Sequence, residues 1–156
     1  MNTPNTVDDA LEAEIRASFK ERRRIVLRGT SSYCYQAIVK ALPGVDIIQL
    51  DLSKVRTEFD LERMAQSTLN SKSTLRNALW ELDEVARKRP ILLVVTNLDA
   101  VAGADEESGI VGRLRGEVQG VHYARVFYTA INNDFLARVL AHPEGSFFKQ
   151  AVIVDT

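Results

Sequence analysis

The 156 residues, 46% hydrophobic and 26% charged, suffice for one globular domain with a sizeable core. Twenty basic against 21 acidic residues leave a formal charge of −1, so no global field draws the chain to nucleic acid, and the lone Cys34 excludes an internal disulfide. No apolar run approaches the roughly 20 residues of a bilayer span, and the polar, acidic start MNTPNTVDDALEAEI is unlike a secretory or transit peptide, so a cytoplasmic protein is expected.

Residues 7–23 read as a first helix. Val7, Leu11, Ile15 and Phe19 recur every four residues, with Asp8, Asp9 and Glu12 early and Arg22–Arg24 late, the polarity that suits the helix dipole. Ile25–Arg28 is a short strand ending at Gly29. Thr30–Tyr33 is a small-polar turn, and Tyr35–Leu42 a helix stopped by Pro43-Gly44. Asp46–Leu52 is a second strand. Glu58–Leu69 and Ser73–Arg87 are helical, the latter with Leu75, Leu79, Leu82, Val85 and Ala86 on one face and Ser73 or Thr74 as its cap.

Ile91–Val95 is an uninterrupted apolar, β-branched run, the pattern of a central parallel strand covered on both faces. It opens into Thr96, Asn97 and Asp99, and ligands of such sheets sit just past the carboxyl ends of the strands. An acidic loop, Ala102–Ser108, follows. Gly109–Gln119 is a helix weakened by Gly109, Gly112 and Gly116. Ala124–Thr129 is a strand, Asp134–Ala141 a helix and Ala151–Asp155 a last strand. This alternation predicts a three-layer α/β/α sandwich around a mainly parallel five-stranded sheet.

A phosphate loop needs a glycine-rich turn between a strand and a helix, read as Gly, four residues, Gly-Lys, then Ser or Thr. Gly29 stands where the first glycine belongs, but Cys34, Tyr35 and Gln36 replace the second glycine, the lysine and the hydroxyl. Without the glycine a side chain crowds the phosphate. Without the lysine no ammonium neutralises it, and without the hydroxyl Mg²⁺ loses its protein ligand.

Four segments nevertheless resemble, in order and spacing, the core of the AAA+ ATPases, near their origin-recognition and STAND-type branches. Arg24–Leu42, RIVLRGTSSYCYQAIVKAL, is similar to their first strand, phosphate loop and helix. Leu79–Val101, LWELDEVARKRPILLVVTNLDAV, is similar to the helix and Walker B strand. Tyr128–Asp134, YTAINND, resembles the sensor-1 strand end, with Asn132 at the place of the sensor residue. His142–Val154, HPEGSFFKQAVIV, resembles the segment that carries the arginine finger, with Lys149 near that finger.

The resemblance implies a P-loop NTPase-like fold over residues 24–156, preceded by the helix within 1–23. The chain ends at Thr156, before that family's helical lid, so no lid domain is expected. In the resemblance the Mg²⁺-organising Asp falls on Thr96 and the water-activating Glu on Asn97; Asp99 alone keeps an acid. Phosphoryl transfer depends on positioned cations and an oriented nucleophile. The first expectation is therefore a pseudo-ATPase without a cofactor, acting through a protein partner or a second copy of itself.

Two alternatives stay open. A nucleotide switch or weak ATPase would hold ATP or ADP through Gly29, Thr30, Ser31, Ser32, Tyr35, Gln36, Asp99 and Asn132. A nucleic-acid accessory protein would use the basic run Lys20, Arg22, Arg23, Arg24 and Arg28, with Tyr33 and Tyr35 as a stacking surface. Each residue also has a structural role open to it. Asp99 closes a turn, Asn132-Asn133 caps a helix, Thr30–Ser32 satisfies a helix N-terminus, and Cys34 fills a core site. His122 and His142 sit in loops without metal-site spacing, and Trp80, Phe127, Phe147 and Phe148 read as core or interface packing.

Overall fold

A strand that is apolar at every position needs cover on both faces. In the computed structural model, which describes residues 6–70, 74–103, 110–134, 136 and 152–156, the run Ile91–Thr96 (β3) meets that demand. All six of its residues are buried. Leu92 and Val94 face one layer, with Leu11, Ile15, Cys34, Ile38 and Phe127; Ile91, Leu93 and Val95 face the other, with Leu61, Leu75, Leu79 and Leu114.

The sheet has the order β2-β3-β4-β1-β5, built from Ile25–Arg28 (β1), Asp46–Asp51 (β2), β3, Arg125–Ala130 (β4) and Val152–Asp155 (β5). Every pairing is parallel. Helices α1 (Thr6–Lys20) and α2 (Ser31–Ala41) cover one face. Helices α3 (Glu58–Thr68), α4 (Leu75–Ala86) and α5 (Ile110–Gln119) cover the other. The expected three-layer sandwich is what the chain forms, and its sheet is parallel throughout the described pairs.

Local chemistry explains most boundaries. Thr57 and Asp60 form a reciprocal capping box at α3, and of the two residues offered for α4, Thr74 is the cap, its hydroxyl accepting from Asn77 N at 3.3 Å. Two boundaries differ clearly from expectation: α1 ends at Lys20, so Arg22–Arg24, expected in its last turn, follow the helix, and α2 is longer than expected. α2 starts at Ser31, earlier than the expected Tyr35, so the turn expected over Thr30–Tyr33 shrinks to Gly29-Thr30. Thr30 is extended, at φ −64° and ψ 144°, and its Oγ1 accepts from Tyr33 N, which lets the helix begin at once. The N-terminal helix contributes Leu11 and Ile15 to the same core as α2. Most of the Ala102–Ser108 loop and of the Asp134–Ala141 helix lies outside the described residues.

Candidate functional site

In a parallel sheet all strands end on one edge, and polar residues just past those ends meet there. Arg28 is in register with Ala130 and Asp155, and Asp51 with Thr96, so β1, β2, β3, β4 and β5 present their last residues together. Six of the eight candidate ligands follow these strand ends closely: Gly29, Thr30, Ser31, Ser32, Asp99 and Asn132.

The first strand passes into its helix through two residues. Gly29 N donates to Ala130 O at 3.0 Å, Thr30 caps α2, and the chain is helical from Ser31. Ser31 and Ser32 occupy the first turn. Cys34 is fully buried beneath it, and burial pushes its thiol up to about 11. Tyr35 and Gln36 lie further along α2. Gln36 lines a shallow hollow of about 200 Å³ between α1 and α2, with Leu11, Glu12, Tyr33 and Lys40, in which Lys40 pairs with Glu12 at 3.1 Å.

The β5 end closes over this turn. Thr156 Oγ1 donates to Arg28 O at 2.8 Å and lies only 2.4 Å from where a Cβ on Gly29 would stand. Gly29 thus makes room for Thr156. The Arg28 guanidinium is clamped by the Asp155 carboxylate and also donates to Asn133 Oδ1 at 3.0 Å.

The β3 end is equally self-contained. Thr96 is buried, its hydroxyl accepting from Gln49 Nε2 at 3.0 Å. Asn97 takes a left-handed backbone, φ 58°, which Asn tolerates better than most residues. Its backbone N–H donates to Thr129 Oγ1 at 3.0 Å and its side-chain amide to Asp51 Oδ1 at 2.8 Å. Burial pushes the Asp51 carboxyl up, but the hydrogen bonds from Asn97 and Ser53 outweigh it and hold Asp51 below the usual carboxylate value. Asp99 lies in the first turn of a 3₁₀ segment, Leu98–Gly103, and accepts from Ile131 N at 3.0 Å and Asn132 N at 2.7 Å, tying the β3 end to the β4 end. Among the described residues no three His, Cys, Asp or Glu side chains gather as a metal site.

The basic run does not form one patch. Lys20, Arg22 and Arg24 lie before β1, whereas Arg28 lies at its far end. Arg23 pairs with Glu21 at 3.0 Å, and Arg24 donates to Val118 O and Val121 O at 3.1 and 2.9 Å. Of the aromatics, Phe127 is core and Trp80 is 63% exposed. His142, Phe147, Phe148 and Lys149 lie outside the described residues.

No family model and no curated protein matches the chain. Its architecture does match solved structures. A Walker-type ATPase of Pyrococcus abyssi superposes with a TM-score of 0.70 at 13% identity, over 94% of this chain and 53% of its own. The Aeropyrum pernix ORC1 protein, solved in complex with DNA, gives 0.62 at 10% identity over 96% and 47%; Drosophila ORC, bound to AT-rich DNA and Cdc6, gives 0.60 at 14% over 95% and 56%. This chain carries the fold of an AAA+-type P-loop ATPase core. It spans about half the length of each of those structures.

Within that AAA+-like core, sequence reasoning missed three edge residues. Asp51, Asp155 and Thr156 occupy strand ends that the motif comparison passes over. Their signal lay in the sheet order alone: once β5 pairs with β1, Asp155 must fall beside Arg28. Among the described residues no helix is long and apolar enough to cross a membrane.

Proposed function

We propose that this chain is a pseudo-ATPase, a non-catalytic AAA+-like module that acts through protein–protein contact. The observation that carries it is the direct passage from β1 to α2 at Gly29-Thr30. A magnesium triphosphate asks for a loop of backbone N–H groups, an ammonium and a hydroxyl ligand at the first turn, and acids at the third strand end. At the corresponding places stand a two-residue connection, Tyr35, Gln36, Thr96 and Asn97. Asp99, the one retained acid, has its Oδ2 occupied by two backbone amides. These residues do not fit a magnesium nucleotide.

The test is a thermal-shift titration with millimolar ATP and ADP, with and without Mg²⁺. A ligand at 100 times its Kd adds about 2.7 kcal/mol, which for a chain this size raises Tm by roughly 8 °C. The expected result is no shift. A rise that Gly29→Trp abolishes would overturn the proposal in favour of the nucleotide switch. DNA binding that falls steeply with salt, and is lost in the Arg22/Arg23/Arg24→Ala variant, would favour the nucleic-acid reading instead.

A further inference from the structure

A parallel sheet has a second edge, where the residues leading into its strands lie side by side. Here those leading into β3, β4 and β1, neighbours in the sheet, carry Arg87–Arg89, then Arg125, then Lys20 and Arg22–Arg24. Contacts join them into one row. Arg89 pairs with Asp46 at 2.9 Å, and Arg87 lies over the half-exposed ring of Tyr123, 5.1 Å from its centroid. Arg125 donates to Tyr123 O at 3.4 Å and to Phe19 O at 3.2 Å, and its guanidinium covers the Phe19 ring. Burial, and then the neighbouring charge of Arg22, pull the Arg125 guanidinium below its ordinary value.

Arg22 holds its place against the preference of its backbone. It closes α1 in a Schellman motif, its N–H donating to Phe19 O at 3.2 Å and that of Arg23 to Ser18 O at 2.9 Å. The motif requires a left-handed residue, φ 60° at Arg22, and glycine takes that conformation without strain. The chain keeps an arginine there, exposed, with no side-chain partner among the described residues. Such a side chain contributes nothing to the fold that glycine would not.

The pairs already made indicate the anion that suits the rest of the row. Glu21, Glu84 and Asp46 each set a carboxylate on Arg23, Arg87 and Arg89, at 3.0, 3.3 and 2.9 Å, and Glu14 also reaches Arg23 at 3.5 Å. Buried Asp83 is taken up by backbone N–H groups. Lys20, Arg22, Arg24, Lys88 and Arg125 meet no carboxylate among the described residues, and of these Arg24 and Arg125 donate to backbone oxygens. Cations interleaved with acids suit a partner whose own charges are spaced, as on a polypeptide. The unbroken phosphate line of a nucleic acid would be set against Glu21, Glu84 and Asp46. Stacking on Phe19 also holds Arg125 in place beforehand, so little freedom is lost when a carboxylate meets it.

We infer that the amino edge of the sheet binds an acidic segment of a partner protein, its carboxylates pairing with Lys88, Arg125, Arg22 and Lys20 along the row. This rests on the protein-contact reading and names the chemistry of the partner. The carboxyl edge takes no part, so the binding is indifferent to nucleotide.

The test is fluorescence anisotropy of a dye-labelled peptide of alternating Glu and Ser, titrated with the whole chain. The expected result is saturable binding that weakens about 10-fold between low salt and about 0.3 M salt. Replacing Lys20, Arg22 and Lys88 together by Glu should abolish it, while Lys54→Glu, an exposed cation beyond the other end of β2, should leave it unchanged. Arg22→Gly separates binding from folding. It removes the charge and relieves the left-handed residue, so it should weaken the peptide about 3-fold while raising Tm by about 2 °C.

A peptide that does not bind at low salt, or binds the triple variant as well as the parent, overturns the inference. A single-stranded oligonucleotide that binds this row more tightly than the peptide overturns it in favour of nucleic acid. A nucleotide-dependent rise in Tm with peptide binding intact overturns the pseudo-ATPase reading and leaves the acidic-segment site standing.

Discussion

The carboxyl and amino edges of the sheet are opposites. At the carboxyl edge, the polar groups that a ligand would need are engaged within the chain: Asp51 by Asn97, Asp99 by two backbone amides, Arg28 by Asp155. At the amino edge Lys20, Arg22 and Lys88 stand exposed, with no carboxylate partner among the described residues. A site whose hydrogen bonds are already made internally gains little from a ligand, since each new bond must replace an old one. A surface that has left charges of one sign without partners gains from meeting the other sign. The contrast directs attention from chemistry at one edge to contact at the other.

The contrast can be broken most severely on the amino side. Buried Asp83 on α4 accepts from the backbone N–H groups of His122, Tyr123 and Ala124 at 3.0, 2.8 and 2.9 Å, holding the segment that leads from α5 into β4. Asp83→Ala leaves these donors without their acceptor and should cost about 3 kcal/mol in urea unfolding, with the basic row broken as well. At the carboxyl edge, Asp99→Ala should cost about 2 kcal/mol by freeing the Ile131 and Asn132 amides. If Asp99 served a ligand in place of the fold, its removal would leave unfolding unchanged.

Gly29→Ala should cost about 1 kcal/mol, because the new methyl drives the Thr156 hydroxyl off Arg28 O. Pairing it with Thr156→Ala should reduce that cost, which a double-mutant cycle reads directly.

An effect confined to alkaline solution belongs to Cys34, whose thiol burial raises from the usual 9.0 to about 11. A raised folded value means the buried thiol's contribution is complete below pH 9 and fades as pH climbs towards 11. Wild type should therefore lose more stability than Cys34→Ala over that window, as followed by urea midpoints. Smallest of all, Trp80→Ala should change unfolding by less than about 0.5 kcal/mol, since its ring is largely solvated. A large loss would make Trp80 a folding residue.

Much of this was legible from residue order. The alternation of helix and strand patterns is local information, and it predicts the layers. The unbroken Ile91–Val95 run predicts a central strand, and β3 lies between β2 and β4. The likeness to AAA+ cores rested on spacing between segments, and spacing survives at 13% identity. Turn chemistry was harder. Thr30-Ser31-Ser32 reads equally as a turn or as a cap followed by helix, because small polar residues serve both. Which one forms depends on Cys34 and Ile38 finding the core beneath α2.

By itself, then, the sequence determined the class of fold and the central strand, since these depend on residue type and near-neighbour pattern. Tertiary structure alone decided what the remaining polar residues do. Asp99 binds backbone amides 32 and 33 residues away, and Asp155 and Thr156 close over a turn formed by residues 28–30, partners that only strand pairing brings together. It also decided that Trp80 faces outward. The burial pattern of α4 had to be completed by α3 and α5 before Trp80, like Phe59 on α3, was left at the surface.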